Sequence, residues 1–346
     1  MDATDRRAGG IAGWIVALLL GFAFVADQRG LHWIQAVEWP TDLYTLGRLQ
    51  AEPIDVAVVG TSRSHYGLPP SAIDLYLSRA LGRRTRSVGL NRLTASAYTE
   101  DIVARELLTA SPPKVLVVEV APETLNAHHF EQDYNIGGSI QARDVPECLA
   151  TARSTTRLAT CSRPLFRGVE NVAHLLARPF GDHAHITWMA TYEGGGQYCY
   201  EDDACRARNA AYDERAQGRW QSRMDTVIPE VRAQRFTDYQ IREGLGIDHF
   251  RALLDRETAR GVHVVVVNLP VAAVYQAEVP EAVYAEFLSV MHDELHPRGV
   301  PFVDLNTPAM QADRDAFLDP DHLNRVGAER ITRALCEGTI AGLVGG

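Results

Sequence analysis

The stretch Ile54-Asp55-Val56-Ala57-Val58-Val59-Gly60-Thr61-Ser62 (IDVAVVGTS, residues 54–62) decides the fold. Its first six residues form a short, largely apolar run, which is typical of a buried strand in a parallel sheet. The strand ends abruptly at Gly60, and a polar loop follows. Pro69-Pro70 then precede a predicted helix over Ser71–Leu81, for which the Ser71 hydroxyl is a suitable N-cap. A strand, a loop and a helix in this order predict the first unit of an α/β fold.

The same alternation of strand and helix returns along the rest of the chain. Further strands are predicted at residues 86–90, 115–120, 262–269 and 301–305. Helices are predicted at residues 97–109, 248–260 and 281–295, and a last helical run extends to residue 341. Such an alternation places the strands side by side in one direction with helices on both faces. We therefore expect a three-layer α/β/α sandwich with a parallel central sheet.

The alternation fails between about residues 127 and 236, and we interpret this stretch as an insertion over the sheet. A tract of this length without secondary structure is uncommon, so short helices are predicted within it. Four of its residues form two pairs of neighbouring cysteines, Cys148 with Cys161 and Cys199 with Cys205, whereas Cys336 stands alone. Two disulfides would suit an exported protein. Because neither pair has the Cys-x-x-Cys spacing typical of zinc sites, no metal is expected.

The N-terminus carries a candidate membrane segment. Arg6 and Arg7 precede the uncharged apolar run Gly10–Ala26, which is between a signal peptide and a spanning helix in length. We predict an uncleaved anchor within residues 1–30, although cleavage after Ala23 and a buried core helix are alternatives. Positive charge before the segment predicts that this end stays in the cytoplasm. The expected location is therefore the bacterial inner membrane, as a single-pass protein with residues 31–346 in the periplasm.

Length and charge limit the organisation and the partners of the chain. A chain of 346 residues is long for one domain, but α/β domains with insertions reach this size, so residues 31–346 are predicted to form one enlarged domain. The formal net charge is −10, and the sequence has no cluster of lysine and arginine that could follow a phosphate backbone. Nucleic acid is therefore not an expected partner.

Ligands of open α/β sheets bind beyond the carboxyl ends of the strands, and two polar segments are predicted near that edge. Ser62 follows the first strand, where a nucleophilic hydroxyl is well presented, although Gly-Thr-Ser is also ordinary turn chemistry. Asp319 precedes His322 by three residues, so its carboxylate can fix the tautomer of the imidazole; a helix N-cap is the alternative. Asp321 is expected to be poorly placed to orient the neighbouring ring, and Ser64 is a weaker candidate nucleophile.

These two segments together resemble the SGNH (GDSL-like) hydrolase superfamily, whose first block is Gly-Asp-Ser or a variant and whose last block is Asp-x-x-His. The resemblance covers about residues 54–126 and 247–341 and implies a flavodoxin-like topology. It also implies that Ser62 is the nucleophile, Asp319 the orienting acid and His322 the general base. The amides of Ser62 and Gly89 would then form the oxyanion hole.

One block of the family pattern is missing. The third block, Gly-x-Asn-Asp, supplies an asparagine to the oxyanion hole, but here the third strand continues into Val118-Glu119-Val120-Ala121-Pro122-Glu123. Asn91 and Asn126 are the candidate substitutes, although either residue could simply complete a turn. Arg63 is a candidate for binding an anionic substrate group, with a surface ion pair as the alternative.

Among the superfamily, the chain looks most like the membrane-anchored branches that act beside membrane-bound O-acyltransferases in alginate O-acetylation and teichoic acid D-alanylation. This implies a serine O-acetyltransferase or acetylesterase that faces the periplasm, with a cell-surface or exported polysaccharide as substrate. A membrane-bound O-acyltransferase would be the acyl donor, and no cofactor is required. The alternatives are a non-catalytic glycan-binding or scaffold protein and a nucleotide-binding α/β protein, although the Gly-x-Gly-x-x-Gly spacing of the latter is missing.

Overall fold

The computed structural model describes residues 53–92, 95–109, 111–127, 129, 133, 140, 142–162, 198–200, 202–216 and 218–345. The predicted anchor at Gly10–Ala26 lies outside these residues. Among the residues that are described, no helix is long and apolar enough to cross a membrane. The chain divides into two compact units, of which the first comprises Met1–Leu43 and Ile136–Thr191, and the second Tyr44–Asn135 and Tyr192–Gly346.

The second unit is built on a sheet of five parallel strands. These are β1 Val56–Val59, β2 Ser87–Gly89, β3 Val115–Glu119, β4 His263–Asn268 and β5 Phe302–Asp304. Their order in the sheet is β2-β1-β3-β4-β5, which is the doubly wound order of flavodoxin-like folds. The predicted parallel sheet is therefore confirmed, and each strand lies within the apolar run that predicted it.

In the second unit, helices connect the strands and lie on both sides of the sheet. These helices are α1 Ser62–Gly67, α2 Pro70–Leu81, α3 Ala97–Leu108, α4 Pro122–Leu125, α7 Asp203–Arg215, α8 Arg219–Glu230, α9 Leu245–Ala259, α10 Ala273–Gln276, α11 Glu281–Leu295, α12 Pro308–Ala312, α13 Arg325–Leu335 and α14 Ala341–Gly345. The described part of the first unit contains α5 Val145–Thr151 and α6 Thr155–Ser162. One π-helical turn, Val231–Arg235, continues α8, and another, Cys336–Ile340, joins α13 to α14.

The predicted N-cap of α2 is wrong. This helix begins at Pro70, whose ring is already suited to the first helical position, and the residue before it is Pro69. Ser71 therefore lies inside the first turn. Its hydroxyl accepts a hydrogen bond from the amide of Tyr200 at 3.1 Å and lies 3.4 Å from the carbonyl of Tyr198. The serine thus fixes the segment 198–200 against the helix instead of capping it.

Two hydrophobic layers enclose the sheet because alternate residues of each strand face opposite sides. Ala57 and Val59 of β1 belong to one layer, together with residues of α3, α9 and α11. Val56 and Val58 belong to the other layer, together with residues of α2 and α13. Each fully buried valine contributes about 1.5–3 kcal/mol to stability. Burial on both faces explains why the strands are continuous apolar runs. The polar residues follow the ends of these strands and therefore lie at the carboxyl edge of the sheet.

Short helices and two disulfides occupy the described parts of the predicted insertion. In the first unit, α5 and α6 are joined by the disulfide Cys148–Cys161. In the second unit, the disulfide Cys199–Cys205 links the segment before α7 to its first turn. Cys336 is a free and fully buried thiol, and burial raises its pKa, as expected for a small core residue. The prediction of two disulfides in this part of the chain is confirmed.

Candidate active site

The turn after β1 presents Ser62 at the carboxyl edge of the sheet. Instead of the predicted loop, this segment forms the short helix α1, of which Ser62 is the first residue and Thr61 the N-cap. The Thr61 hydroxyl accepts the Arg63 amide at 3.1 Å, and the Thr61 amide donates to Glu119 Oε2 at 2.6 Å. The first amides of a helix have no intrahelical acceptor. Of the four amides from Thr61 to Ser64, those of Thr61 and Arg63 have side-chain acceptors, which leaves the amides of Ser62 and Ser64.

Gly60 is required by the close approach of β3 to this turn. A Cβ atom at Gly60 would lie 2.6 Å from both Glu119 Cβ and Ser64 Oγ. Glu119 is fully buried at the end of β3, and burial raises the pKa of its carboxyl group. The absence of a side chain at position 60 therefore allows the Glu119 carboxyl group to reach the Thr61 amide and hold the Ser62 turn in place.

A two-stranded antiparallel ribbon carries the other two predicted triad residues. Its strands are β6 Phe317–Asp319 and β7 His322–Leu323, and Asp319 pairs with His322 in their register. His322 Nε2 lies 2.9 Å from Ser62 Oγ, and His322 Nδ1 lies 2.8 Å from Asp319 Oδ1. Because a carboxylate only accepts hydrogen bonds, the Nδ1 proton points to Asp319 and leaves Nε2 to accept the serine hydroxyl. Ser62, His322 and Asp319 thus form one hydrogen-bonded series.

A second carboxylate also faces the histidine. Asp321 was expected to be poorly placed for this, yet its Oδ1 lies 3.3 Å from His322 Nδ1. The amide of Asp321 also donates to Asp319 Oδ1 at 3.2 Å. The irregular register of the ribbon between residues 317 and 319 accompanies this arrangement, in which the short connection curls both acids towards the same ring nitrogen.

Two arginines of α8 complete the charge arrangement. Arg219 Nε lies 2.7 Å from Asp319 Oδ2, the oxygen that does not contact the histidine. Arg223 Nη2 lies 3.1 Å from each of the two carboxylate oxygens of Asp321. Each acid beside His322 therefore has a guanidinium partner from the same helix. Neither arginine was predicted from the sequence.

Burial and charge act in opposite directions on the pKa values of this cluster. Burial alone lowers the pKa of His322, but the neighbouring carboxylates of Asp321 and Asp319 outweigh it, and the pKa is raised. Burial would raise the pKa of Asp321, but His322 and Arg223 hold it well below its usual range. Both effects favour an ionised acid beside a histidine that accepts a proton readily.

The proposed oxyanion residues are a glycine and two asparagines, and the asparagine side chains have hydrogen-bond partners of their own. Gly89 ends β2 beside Val58, at the carboxyl edge of the sheet. Asn91 Oδ1 accepts the Ser64 hydroxyl at 2.8 Å, so Ser64 is buried and bound to the loop after β2. The amide group of Asn126 donates to the carbonyl of Arg235 at 3.2 Å, and its oxygen accepts the amide of Gln240 at 3.2 Å. Asn126 thus links the end of α4 to the segment after α8.

Arg63 forms a buried ion pair and not the surface pair considered from the sequence. Only 7% of this residue is exposed, and its Nη2 contacts Glu123 Oε1. The guanidinium also lies 4.9 Å from the centre of the Tyr275 ring, whose hydroxyl donates to the same Glu123 oxygen at 2.7 Å. Burial opposes ionisation of Glu123, but Arg63 and Arg235 keep its pKa lowered. Arg63 is therefore held in the wall of the site next to the serine.

A cavity of about 260 Å³ opens beside Ser62. Every side chain that lines it carries a polar group: Thr61, Ser62, Arg63, Glu123, Thr124, His129, Arg223, Glu230, Arg235 and Asp321. Three arginines face three carboxylates, so the wall has both signs of charge in equal number. Arg223, Glu230 and Arg235 come from α8 and the turn after it, which belong to the insertion predicted from the sequence.

The Asp319, Asp321 and His322 side chains are close enough to be considered as metal ligands, since their ligand atoms lie within 4.8 Å of one another. Arg219 and Arg223 already neutralise the two carboxylates at short range. A cation at this point would meet two guanidinium groups and would compete with them for the same oxygens. The donor set therefore fits a proton-transfer site and does not fit a metal centre.

No protein-family model and no curated protein matches the chain. Among solved structures it is similar to BT4096, a gut microbial diltiazem-metabolizing enzyme, with 12% identity, a TM-score of 0.41 and coverage of 83% of this chain and 47% of that one. The chain thus spans about half the length of BT4096. It is also similar to the lipase/acylhydrolase from Enterococcus faecalis, with 11% identity, a TM-score of 0.39 and coverage of 84% and 96% of the two chains.

Proposed function

We propose that this chain is a serine acyl-transfer enzyme, an O-acetyltransferase or acetylesterase that acts on a cell-surface or exported polysaccharide. The observation that carries the proposal is the hydrogen-bonded series Ser62–His322–Asp319, with 2.9 Å and 2.8 Å between successive polar atoms. This is the arrangement by which a histidine activates a serine hydroxyl in acyl transfer.

In the proposed reaction, His322 Nε2 takes the proton of Ser62 Oγ as this oxygen attacks the ester carbonyl of the donor. The carbon–oxygen bond to the leaving alcohol breaks, and His322 returns the proton to that alcohol. The acyl group is now on Ser62. A sugar hydroxyl or water then loses its proton to His322 and attacks the acyl carbonyl carbon. The bond between this carbon and Ser62 Oγ breaks, and His322 returns the proton to Ser62 Oγ as the acylated product leaves. The amides of Ser62 and Gly89 would bind the oxyanion formed in each half.

The size and the charged groups of the cavity support a short acyl group and a hydroxylated partner. Its volume of about 260 Å³ is below the roughly 300–1,000 Å³ of pockets that hold drug-sized ligands, which favours a short acyl group over a long chain. The arginines and carboxylates that line it offer both donors and acceptors to sugar hydroxyls. The apolar N-terminal run and its preceding arginines support a periplasmic location at the inner membrane, with a membrane-bound O-acyltransferase as a partner that delivers the acyl group.

The proposal is tested with the full chain, purified in mild detergent, and p-nitrophenyl acetate as the donor. We expect Ser62→Ala to lose at least about 10³-fold in turnover and to lose all labelling by a fluorophosphonate probe. The matched control is Ser64→Ala, which removes a neighbouring serine whose hydroxyl is bound to Asn91. This variant should still be labelled at Ser62 by the probe. If Ser62→Ala turns over p-nitrophenyl acetate as fast as the unchanged chain, Ser62 is not the nucleophile.

Transfer and hydrolysis are separated by a second assay, in which acetylated oligosaccharide is followed by mass spectrometry with and without the acyl donor. Gain of acetyl groups on the glycan supports transfer, and their loss supports deacetylation. Glycan binding without turnover and without labelling of Ser62 would favour the non-catalytic scaffold instead.

A further inference from the structure

Helix α8 supplies two arginines to the site from one face. Arg219 and Arg223 are four residues apart, so their side chains lie on the same side of the helix, one turn from each other. Both are directed at the β6–β7 ribbon, which carries the acids beside His322. This pair is outside the triad and takes no part in the proton transfers proposed above.

Arg219 reaches the histidine by two routes. Its Nε is 2.7 Å from Asp319 Oδ2, and its Nη1 donates to the hydroxyl of Tyr66 at 3.0 Å. The guanidinium also lies 5.4 Å from the centre of the Tyr66 ring, and this ring is 4.7 Å from that of His322. Arg219 therefore forms an ion pair with the Asp319 oxygen that does not contact His322. It also packs against the Tyr66 ring that lies beside the histidine.

Arg223 acts on the second acid. Its Nη2 contacts both oxygens of Asp321 at 3.1 Å, and its Nε is 3.9 Å from Asp319 Oδ2. Asp321 is 4% exposed, so its charge is removed from water and depends on protein partners. Among the described residues, Arg223 is the one arginine that forms an ion pair with it.

The charges around His322 explain why two arginines are useful. Its ring contacts Ser62, Tyr66 and two carboxylates, which are Asp319 at 2.8 Å and Asp321 at 3.3 Å. Two unopposed carboxylates would stabilise the imidazolium form, and a protonated histidine cannot accept the serine proton. Guanidinium groups on the far side of these acids reduce that stabilisation while keeping both carboxylates in position.

We propose that Arg219 and Arg223 are positioning residues that hold the two carboxylates against His322 and keep the histidine available as a base near neutral pH. This inference rests on the proposed function. It assigns to α8, a helix of the predicted insertion, a part in the reaction that the triad alone does not provide.

The test is the pH profile of kcat/KM for p-nitrophenyl acetate in full-length Arg219→Gln and Arg223→Gln variants. Removing a positive charge favours the imidazolium, so the acid limb should move upward by roughly one pH unit. Activity at pH 6 should then fall roughly tenfold beyond any loss at the plateau. Lysine at either position keeps the charge and should restore the position of the limb.

The matched control is Arg232→Gln, which removes an exposed arginine just beyond α8 whose partner is Glu278. Its profile should equal that of the unchanged chain. An NMR titration of the His322 imidazole in the same variants measures its pKa without any need for turnover.

An unchanged His322 titration in both glutamine variants, with the fold intact by circular dichroism, would overturn the inference. An upward shift of the His322 pKa in the glutamine variants supports it, even if p-nitrophenyl acetate is not turned over, whereas a downward shift contradicts it. The proposed function fails separately, when the unchanged chain shows neither turnover nor labelling of Ser62.

Discussion

Replacing Gly60 by alanine tests whether the approach of β3 to the serine turn sets both stability and activity. The added Cβ would lie 2.6 Å from Glu119 Cβ, whereas carbon atoms in contact are normally about 3.5–4.0 Å apart. Glu119 ends a central strand that is hydrogen-bonded on both sides, so its Cβ cannot easily retreat. The turn that carries Thr61 and Ser62 must therefore move by roughly 1 Å.

The structure gives the size of the effect from two contributions. Overpacking in a tight core costs about 1–3 kcal/mol, and loss of the 2.6 Å hydrogen bond from Thr61 to Glu119 adds about 1–3 kcal/mol. We expect Gly60→Ala to lower the free energy of unfolding by roughly 2–6 kcal/mol in total. Since a displacement of about 1 Å in a catalytic group can reduce a rate about 10²-fold, kcat/KM should fall by that factor.

Urea unfolding followed by fluorescence measures the first quantity, and p-nitrophenyl acetate turnover measures the second. The control is Gly338→Ala, because a Cβ at this helical position meets no atom within 4 Å. It should be neutral or stabilising by up to about 1 kcal/mol. If Gly60→Ala unfolds at the same urea concentration as the unchanged chain, the steric reasoning is refuted.

Two further predictions concern stability. Glu100 is 2% exposed, and neither of its carboxyl oxygens has a hydrogen-bond partner in the described structure; burial, then Glu119 and Asp133, raise its pKa well above the usual value. The unfolded chain therefore ionises first, and stability should fall above about pH 4.3, by about 1.4 kcal/mol per pH unit until the folded pKa is reached. Glu100→Gln should lack this contribution in urea titrations between pH 4 and pH 8; an identical slope would contradict it. Replacing Cys199 and Cys205 by serine should cost about 2–3 kcal/mol, and dithiothreitol should then have a smaller additional effect on unfolding than in the unchanged chain.

The strands were predictable because their environment leaves a strong pattern. Burial on both faces favours apolar residues at successive positions, so runs such as 115–120 and 262–269 stand out from the polar loops around them. The predicted N-cap at Ser71 was wrong because the prediction considered only nearby residues and could not include a hydrogen-bond partner that is distant in sequence. In the folded chain the Tyr200 amide uses that hydroxyl, and Pro70 starts the helix without it.

The site was predictable where its residues are close in sequence or share a family pattern, and elsewhere it was not. Asp319 and His322 are three residues apart, and their contact follows from one short ribbon. Arg219 and Arg223 are almost a hundred residues from those acids, and an arginine pair four residues apart is ordinary on an exposed helix. Asp321 was misjudged because adjacency in sequence said nothing about the curl of the connection between β6 and β7.

The origin of Arg219 and Arg223 in α8 has a practical consequence for protein engineering. A shortened version without residues 127–236 would keep Ser62, His322 and Asp319. A sequence alignment based on these three residues alone would still classify it as an active enzyme. Yet such a version would lack the two arginines that contact Asp319 and Asp321, and the loss of a guanidinium partner is costly for a carboxylate in a water-poor environment. A loss of activity in this shortened version would result from the missing arginines and would not be evidence against Ser62 as the nucleophile.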